Sequence, residues 1–334
     1  MSGLPETDVS MNTPRSQCAF CVALAELAQR LTRDDHAPPS PSPARRRFAG
    51  SLAAMGVAAA LPAFAREGVE VGQSSKFAQL IPAEEVEQAA AQQYSQLMQQ
   101  ARQQGALAPE SHPQVQRLRY IAKRMIPFCA EWNPRAPQWH WEVNLVGSKQ
   151  INAFCMPGGK IAFFSALLIQ LKLNDDEVAM VMGHETAHAL REHARERMGK
   201  TAATSGAIEL GAALLGLGSG SRMLANMGGQ LLTLKFSRDD ESEADLVGME
   251  LAARAGYDPR SGVVLWQKMG AATGGGGDAG GVGSKLAEYG STHPQGPTRI
   301  RDIQANLPKV MPLYERAPKP DRHFEIMQPL QQQQ

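Results

Sequence analysis

The motif His184-Glu185-x-x-His188 constrains this chain more than any other segment of its sequence. Asn174 and Glu177 have the spacing of a capping box, which predicts that a helix begins after Asn174 and carries the motif. On a helix, two histidines four residues apart lie on the same face. Apolar residues precede and separate them, so the helix is expected to be largely buried. Buried imidazoles and a buried carboxylate need polar or ionic partners.

Two imidazoles at this spacing indicate a zinc site, with one Zn²⁺ per chain. Zinc takes nitrogen ligands and keeps one position open for water. Glu185 can take a proton from that water and pass it to a leaving amine. The alternative is a surface helix with two solvated histidines. The apolar residues around the motif favour the metal site over this alternative.

A third protein ligand has to come from outside the motif. His193 is the nearest histidine, but the metzincin spacing requires a histidine at position 194, where this chain has alanine. Glu241 and Asp245 lie four residues apart and share a face of a second predicted helix, whereas Glu243 points elsewhere. Glu241 is therefore the candidate third ligand, and Asp245 the candidate partner of a ligand imidazole. The alternative for Glu241 is a solvated acidic residue at a helix start.

The remaining pattern predicts an α+β fold that is mostly helical. Helices are predicted at 81–104 and 113–128, a strand at 139–146, and a hairpin with strands 151–156 and 160–164. The helix with the two histidines is expected to end near Arg197, and the second site helix to begin after Ser237 and end at Gly256. Residues 201–234 are expected to form short buried helices or a mobile flap, and residues 270–283 a flexible loop.

Residues 1–65 have the pattern of an export signal rather than of a folded domain. Three arginines at 45–47 precede an uncharged apolar run, which ends in an A-x-A sequence at Ala65. This resembles a twin-arginine signal that is removed after Ala65, and it predicts a periplasmic protein. The alternative is a retained anchor, but the run is shorter than the roughly 20 residues of a spanning helix. Residues 66–325 would form the folded domain and residues 326–334 a disordered glutamine-rich tail.

The charge of the chain excludes nucleic acid as a partner. The formal net charge is +1, and the chain beyond residue 65 holds 28 basic and 28 acidic residues, because the first 65 hold six arginines and five acids. A neutral domain has no basic surface for nucleic acid or for an anionic membrane. Of the four cysteines, Cys129 and Cys155 lie in this domain, and the sequence leaves open whether they form a disulfide.

Five ordered motifs resemble those of metallopeptidase family forty-eight, and together they cover about 143–303. They are Asn152-Ala153-Phe154 with Pro157-Gly158-Gly159, His184-Glu185-x-x-His188, Ser237-Arg238-x-x-Glu241-x-x-Ala244-Asp245, Ala255-Gly256-Tyr257-Asp258-Pro259, and Ser291-Thr292-His293-Pro294 with Arg299-Ile300. The chain has neither several spanning segments nor a tetratricopeptide array. The resemblance is therefore narrowed to the single-domain, periplasmic LoiP-like branch of the family.

The resemblance implies a gluzincin fold, in which the helix with the motif lies beside a small sheet whose edge strand holds the substrate. It implies Glu185 as the base, and it places His293 near the open metal position, where it either stabilises the oxyanion or blocks the zinc in a resting state. The zinc ligands that it implies are His184, His188 and Glu241. The residues implied in substrate binding, by strand addition and at the late motif, are Asn152, Ala153 and Arg299.

These expectations predict a zinc-dependent endopeptidase that cleaves misfolded or misassembled proteins of the cell envelope, a quality-control role that rests on the resemblance alone. Its partners would be those substrates, with peripheral association with the envelope membrane or its assembly machinery. One alternative is a zinc-bound chaperone or assembly factor with little turnover, which Glu185 argues against because metal binding needs no base. A second alternative is a latent protease, in which a glycine-rich segment covers the cleft and His293 occupies the zinc.

Overall fold

The computed structural model of the chain describes residues 66–204, 231, 234–274, 293 and 297–328. The predicted export signal, most of the predicted flap at 201–234 and the end of the glutamine-rich tail lie outside these residues. Cleavage after Ala65 and the domain limits 66–325 therefore stay predictions. None of the helices in the described ranges is long and apolar enough to cross a membrane.

The described ranges contain eight α-helices and three strands, which confirms the mostly helical α+β prediction. The helices are α1 (Ala83–Gln103), α2 (Pro113–Met125), α3 (Ser165–Gln170), α4 (Asp175–Leu190), α5 (His193–Thr204), α6 (Arg238–Arg254), α7 (Ser261–Gly274) and α8 (Pro297–Arg316). The strands are β1 (Glu142–Val146), β2 (Ala153–Met156) and β3 (Lys160–Phe164). Short 3₁₀ helices occur at Lys76–Leu80, Ile126–Glu131 and Ala136–Gln138.

The sheet has the order β1-β3-β2, so that β2 lies at its edge. β2 and β3 form the predicted antiparallel hairpin, and β1 runs parallel to β3. In the turn of the hairpin, Gly158 and Gly159 have φ values of 84° and 77°, which residues with a Cβ rarely adopt. A Cβ on Gly159 would also lie 2.7 Å from the Trp141 ring. The hairpin therefore needs both glycines to bring β2 back along β3.

Helices α4 and α6 pack against each other in the core of the described residues. Both begin with the predicted capping boxes, Asn174 with Glu177 and Ser237 with Asp240. The two helices approach closely at Gly183 and Gly248, where a Cβ on either glycine would lie 2.5 Å from a backbone atom of the other helix. Because glycine permits this approach, polar side chains of α4 and α6 can bond to one another directly.

The helix with the two histidines is not continuous to Arg197, and this prediction is wrong. α4 ends at Leu190, Glu192 has a φ of 59°, and α5 begins at His193. Tertiary hydrogen bonds account for the break. The amide nitrogen of Asn133 donates to the carbonyl of Leu190 over 3.0 Å, and the Arg191 side chain is bonded to groups on two other segments. These bonds outweigh the helical propensity of the sequence.

Two smaller expectations also change. The predicted loop at 270–283 begins too early, because α7 continues through Gly274. The buried residues of α7, Leu265, Trp266 and Met269, hold this helix against the core. The remaining residues of that loop lie outside the described ranges. Cys129 and Cys155 are both free and buried, which answers the question of a disulfide between them.

Candidate active site

Four buried side chains converge between α4, α6 and the segment before α8: His184, His188, Glu241 and His293. One nitrogen or oxygen atom from each lies within 4.8 Å of the corresponding atoms of the other three. The Nε2 atoms of His184 and His188 are 3.1 Å apart. The Glu241 carboxylate lies 3.5 Å from the first of these nitrogens and 3.4 Å from the second. Two imidazoles and one carboxylate in this arrangement can hold a single ion.

His293 lies among these groups rather than beside them. Its Nδ1 atom is 3.0 Å from Oε1 of Glu241 and 3.4 Å from Nε2 of His184. Its Nε2 atom faces the carboxylate of Glu185 at 3.8 Å. His293 is therefore close enough to serve as a fourth ligand, and it separates Glu185 from Glu241.

The His184 imidazole is held by a charged network. Its Nδ1 atom lies 3.0 Å from Oδ1 of Asp245, the contact expected for a residue that orients a ligand imidazole. The Arg299 guanidinium donates to both oxygens of Asp245, over 2.6 and 2.7 Å, and to Glu241 over 2.7 Å. The same guanidinium lies 3.6 Å from the centre of the Trp266 ring.

Arg299 does not occupy the position that the sequence analysis gives it. The family resemblance implies a residue that binds substrate, but Arg299 is 3% exposed and its guanidinium is directed at two carboxylates of the site. A buried guanidinium in bidentate contact with a carboxylate supports that carboxylate structurally. This geometry corrects the expectation: Arg299 supports Glu241 and Asp245.

The His188 imidazole is held by a different set of residues. Its Nδ1 atom lies 2.9 Å from Nδ1 of His193. The other ring nitrogen of His193 lies 3.2 Å from the Glu243 carboxylate, to which Arg191 donates over 2.5 Å. The Phe236 ring stacks on His188 with a centroid distance of 4.0 Å.

The pKa values of the two histidines are shifted in opposite directions. Burial lowers the pKa of His184, but the hydrogen bonds and charges of Asp245 and Glu241 outweigh it and raise the pKa to about 9. Burial dominates at His188 and holds its pKa well below the ordinary value, against the attraction of Glu241. Burial also opposes ionisation of Glu241, yet its hydrogen bonds with the neighbouring histidines keep its pKa far below the usual range.

A cleft beside these groups is bordered by the edge strand. Glu185, His188 and His293 line one side of the cleft, and the segment from Asn152 to Pro157 lines the other. Asn152 and Ala153, the predicted substrate-binding residues, thus lie at this cleft. β2 is paired with β3 on one side only among the described strands. The position of β2 is consistent with substrate binding by strand addition, which stays a prediction.

Sequence reasoning missed two groups that contact the ligand-capable side chains. The sequence presents His193 only as a ligand candidate that fails the metzincin spacing, and it gives no signal for Phe236. On an unbroken helix, His193 would lie about 140° around the axis from His188, so the contact between them depends on the break at Glu192. The polar pair Arg191-Glu192 after an apolar run is the one weak signal of that break.

Comparison with known proteins supports the same class. The family described as Peptidase family M48 matches residues 109–307, more than half of the chain. The mitochondrial metalloendopeptidase OMA1 of Schizosaccharomyces pombe is 36% identical over 205 residues, 61% of this chain and 56% of the relative. OMA1 of Arabidopsis thaliana is 40% identical over 172 residues, 50% and 32% of the two chains. The beta-barrel assembly-enhancing protease of Yersinia pestis is 30% identical over 176 residues, 50% and 35% of the two chains.

The matched part of the chain thus spans from about a third to just over half of the length of these curated relatives. The family match includes α4 and α6 and the two histidines with Glu241. It agrees with the resemblance drawn from the five motifs. The chain belongs to peptidase family M48.

Proposed function

We propose that this chain is a zinc-dependent endopeptidase. The observation that carries the proposal is the convergence of His184, His188 and Glu241 on one point beside Glu185, at a cleft bordered by an edge strand. Relatives named metalloendopeptidases support the same activity. The roles of these residues as ligands and base are part of the proposal.

The donor atoms fit a zinc ion. In both histidines the Nδ1 atom is engaged by another side chain, so the Nε2 lone pairs of His184 and His188 are directed to the shared point. Two imidazole nitrogens and a carboxylate oxygen are the ligand set of many catalytic zinc sites. When bound there, zinc supplies a Lewis acid that lowers the pKa of water and polarises a carbonyl group.

The chain's own residues supply substrate binding and proton transfer. An extended peptide adds through backbone hydrogen bonds to the edge of β2 that no described strand pairs with, which places its backbone next to Glu185. Glu185 takes a proton from the attacking water and delivers it to the amine that leaves. A peptide can pair with β2 only when it is extended, so the proposed substrates are unfolded or misassembled proteins.

We infer that His293 holds the site in a resting state. Its contacts with Glu241 and His184 place it within reach of a bound ion, and this favours the blocking role over stabilisation of the oxyanion. His293 then has to move away before a peptide carbonyl can approach. Replacement of His293 by alanine is expected to raise the cleavage rate of an unfolded protein, and a lower rate would support the oxyanion role instead.

We propose further that the protein is exported and acts in quality control of the cell envelope. The pattern of residues 1–65 supports export, and the name of one relative, a beta-barrel assembly-enhancing protease, supports an envelope substrate. Other relatives are named as mitochondrial. Amino-terminal sequencing of protein recovered from the periplasm tests export, and Arg66 is the expected first residue. The absence of the protein from the periplasmic fraction would reject this part of the proposal.

The decisive experiment compares Glu185→Gln with the unsubstituted chain. Cleavage of a reduced, unfolded model protein should be lost while zinc content stays near one per chain, because the substitution removes the proton acceptor only. Glu196→Gln, on the neighbouring helix α5, is the matched control and should cleave normally. Zinc binding without cleavage by the unsubstituted chain would favour the zinc-bound chaperone instead. Cleavage by Glu185→Gln would remove Glu185 from its proposed role.

A further inference from the structure

Behind His188 lies a chain of connected side chains whose other members have no part in the chemistry described above. It runs from His188 through His193 and Glu243 to Arg191, and from there to the backbone carbonyl of Gly72. His193 is 1% exposed, and both of its ring nitrogens face partners. A buried imidazole with two defined partners has a fixed ring orientation.

The contacts determine the hydrogen on each nitrogen when an ion is bound. Nε2 of His188 faces the ion and needs its lone pair, so the hydrogen of this imidazole is on Nδ1. Nδ1 of His193, 2.9 Å away, must then accept that hydrogen. The hydrogen of His193 is therefore on Nε2, where the Glu243 carboxylate accepts it over 3.2 Å. Arg191 fixes that carboxylate from its other oxygen.

We propose that His193 is a positioning residue that orients His188 for metal binding, with Glu243 fixing the tautomer of His193. The inference rests on the proposed zinc site and names residues that support it. Behind His188 the imidazole of His193 has the role that the carboxylate of Asp245 has behind His184. Partners of this kind are worth about 10–100-fold in metal affinity.

The test is the zinc affinity of the purified chain, measured by competition with a chromophoric chelator. His193→Phe keeps the ring volume and removes the acceptor, so it should weaken zinc binding by about 10–100-fold. His193→Asn returns an oxygen near the position of Nδ1 and should recover most of the loss. Equal affinities for His193→Phe and the unsubstituted chain would overturn the proposal, and so would equal losses for His193→Phe and His193→Asn.

A double-substitution cycle tests the order of the chain. Glu243→Gln alone should weaken zinc binding, but in the His193→Phe background it should have no further effect, because the link to His188 is already broken. The same loss in both backgrounds would show that Glu243 acts independently and would overturn its assigned role.

Urea unfolding of each metal-free variant identifies a loss of zinc affinity that comes from misfolding. If His193→Phe is misfolded, the zinc affinity of His193→Asn decides whether the proposal holds. If the unsubstituted chain binds no zinc, the proposed function fails with this inference; if it binds zinc and His193→Phe binds equally, only this inference fails.

Discussion

The two imidazoles of one motif are supported in physically different ways. Behind His184 lies a carboxylate, Asp245, whose charge is balanced by Arg299. Behind His188 lies another imidazole, His193. The carboxylate of this support, Glu243, contacts His193 and not His188. The pKa values of the two imidazoles also differ: Asp245 and Glu241 outweigh burial and raise that of His184 to about 9, whereas burial holds that of His188 well below the ordinary value. Two histidines on one helix face are therefore not equivalent ligands, because charged partners decide the protonation of His184 and burial decides that of His188.

The largest expected effect comes from a substitution that disturbs both supports at once. In Gly248→Ala, the new Cβ would lie 2.5 Å from the backbone nitrogen of His184, which forces α4 and α6 apart. We expect a loss of at least about 1–3 kcal/mol in the free energy of unfolding, with weaker zinc binding. Gly270→Ala, where a Cβ meets no atom within 4 Å, is the control. Equal urea midpoints for the two variants would mean that the helix contact is less tight than described.

The next effect separates the two supports. Asp245→Asn keeps an acceptor for His184 but removes the charge, and it leaves the buried Arg299 with less compensation. We expect zinc affinity to fall by about 10–100-fold. Glu243→Gln, on the His188 side, should cost less because its carboxylate does not touch a ligand-capable ring directly. A larger loss in Glu243→Gln, measured by the same chelator competition, would reverse the ranking of the two supports.

The pKa difference predicts how zinc binding depends on pH. With a pKa of about 9, His184 carries a proton at pH 7 in the metal-free chain, whereas His188 is neutral. Zinc binding at pH 7 should therefore release about one proton, and zinc affinity should rise by up to about tenfold per pH unit until pH nears the pKa of His184. The same shift stabilises the metal-free fold fully below the ordinary histidine pKa and is lost as pH rises through about 9. Titration calorimetry in two buffers of different ionisation enthalpy counts the protons, and release of two would contradict the asymmetry.

The smallest effects concern the aromatic rings on each side. Phe236→Leu removes the ring stacked on His188, and Trp266→Leu removes the ring beneath Arg299. Each should lower the free energy of unfolding by about 0.5–1.5 kcal/mol beyond the loss of buried area. Only Trp266→Leu should also shift the pKa of His184, and it should raise that pKa, because it loosens the guanidinium whose positive charge balances Asp245 beside this imidazole. Histidine NMR titration of the metal-free chain measures this difference, and identical titration curves for the two variants would argue against it.

Local chemistry explains what could be predicted from the sequence. The capping boxes at Asn174 and Ser237 fix the starts of α4 and α6 through short-range hydrogen bonds, which sequence shows directly. The four-residue spacing of Glu241 and Asp245 places both carboxylates on one helix face, and the structure shows that face opposite His184. Helical periodicity is a local property, so these parts of the site were accessible to pattern reasoning.

The parts that could not be predicted depend on contacts distant in the chain. The end of α4 is set by hydrogen bonds that join Leu190 to Asn133 and Arg191 to Glu243, and near residue 190 the sequence carries only the weak signal of the polar pair Arg191-Glu192. The identity of residue 299 as arginine does not show whether its side chain faces a substrate or two buried carboxylates. Its supporting role follows only from the packing of α8 against α6, which brings the guanidinium to Asp245 and Glu241.

The left-handed residue Glu192 also decides how the motif should be written as a signature. In letters, the site helix and its continuation form H-E-x-x-H-x-x-x-x-H, which ends at His193. The last histidine belongs to the site only because the backbone turns at Glu192, at a strain cost of about 1–3 kcal/mol for a residue other than glycine. A chain with the same ten letters on a straight helix would carry that histidine on its far side. The extended signature is therefore informative only together with a break after its ninth letter.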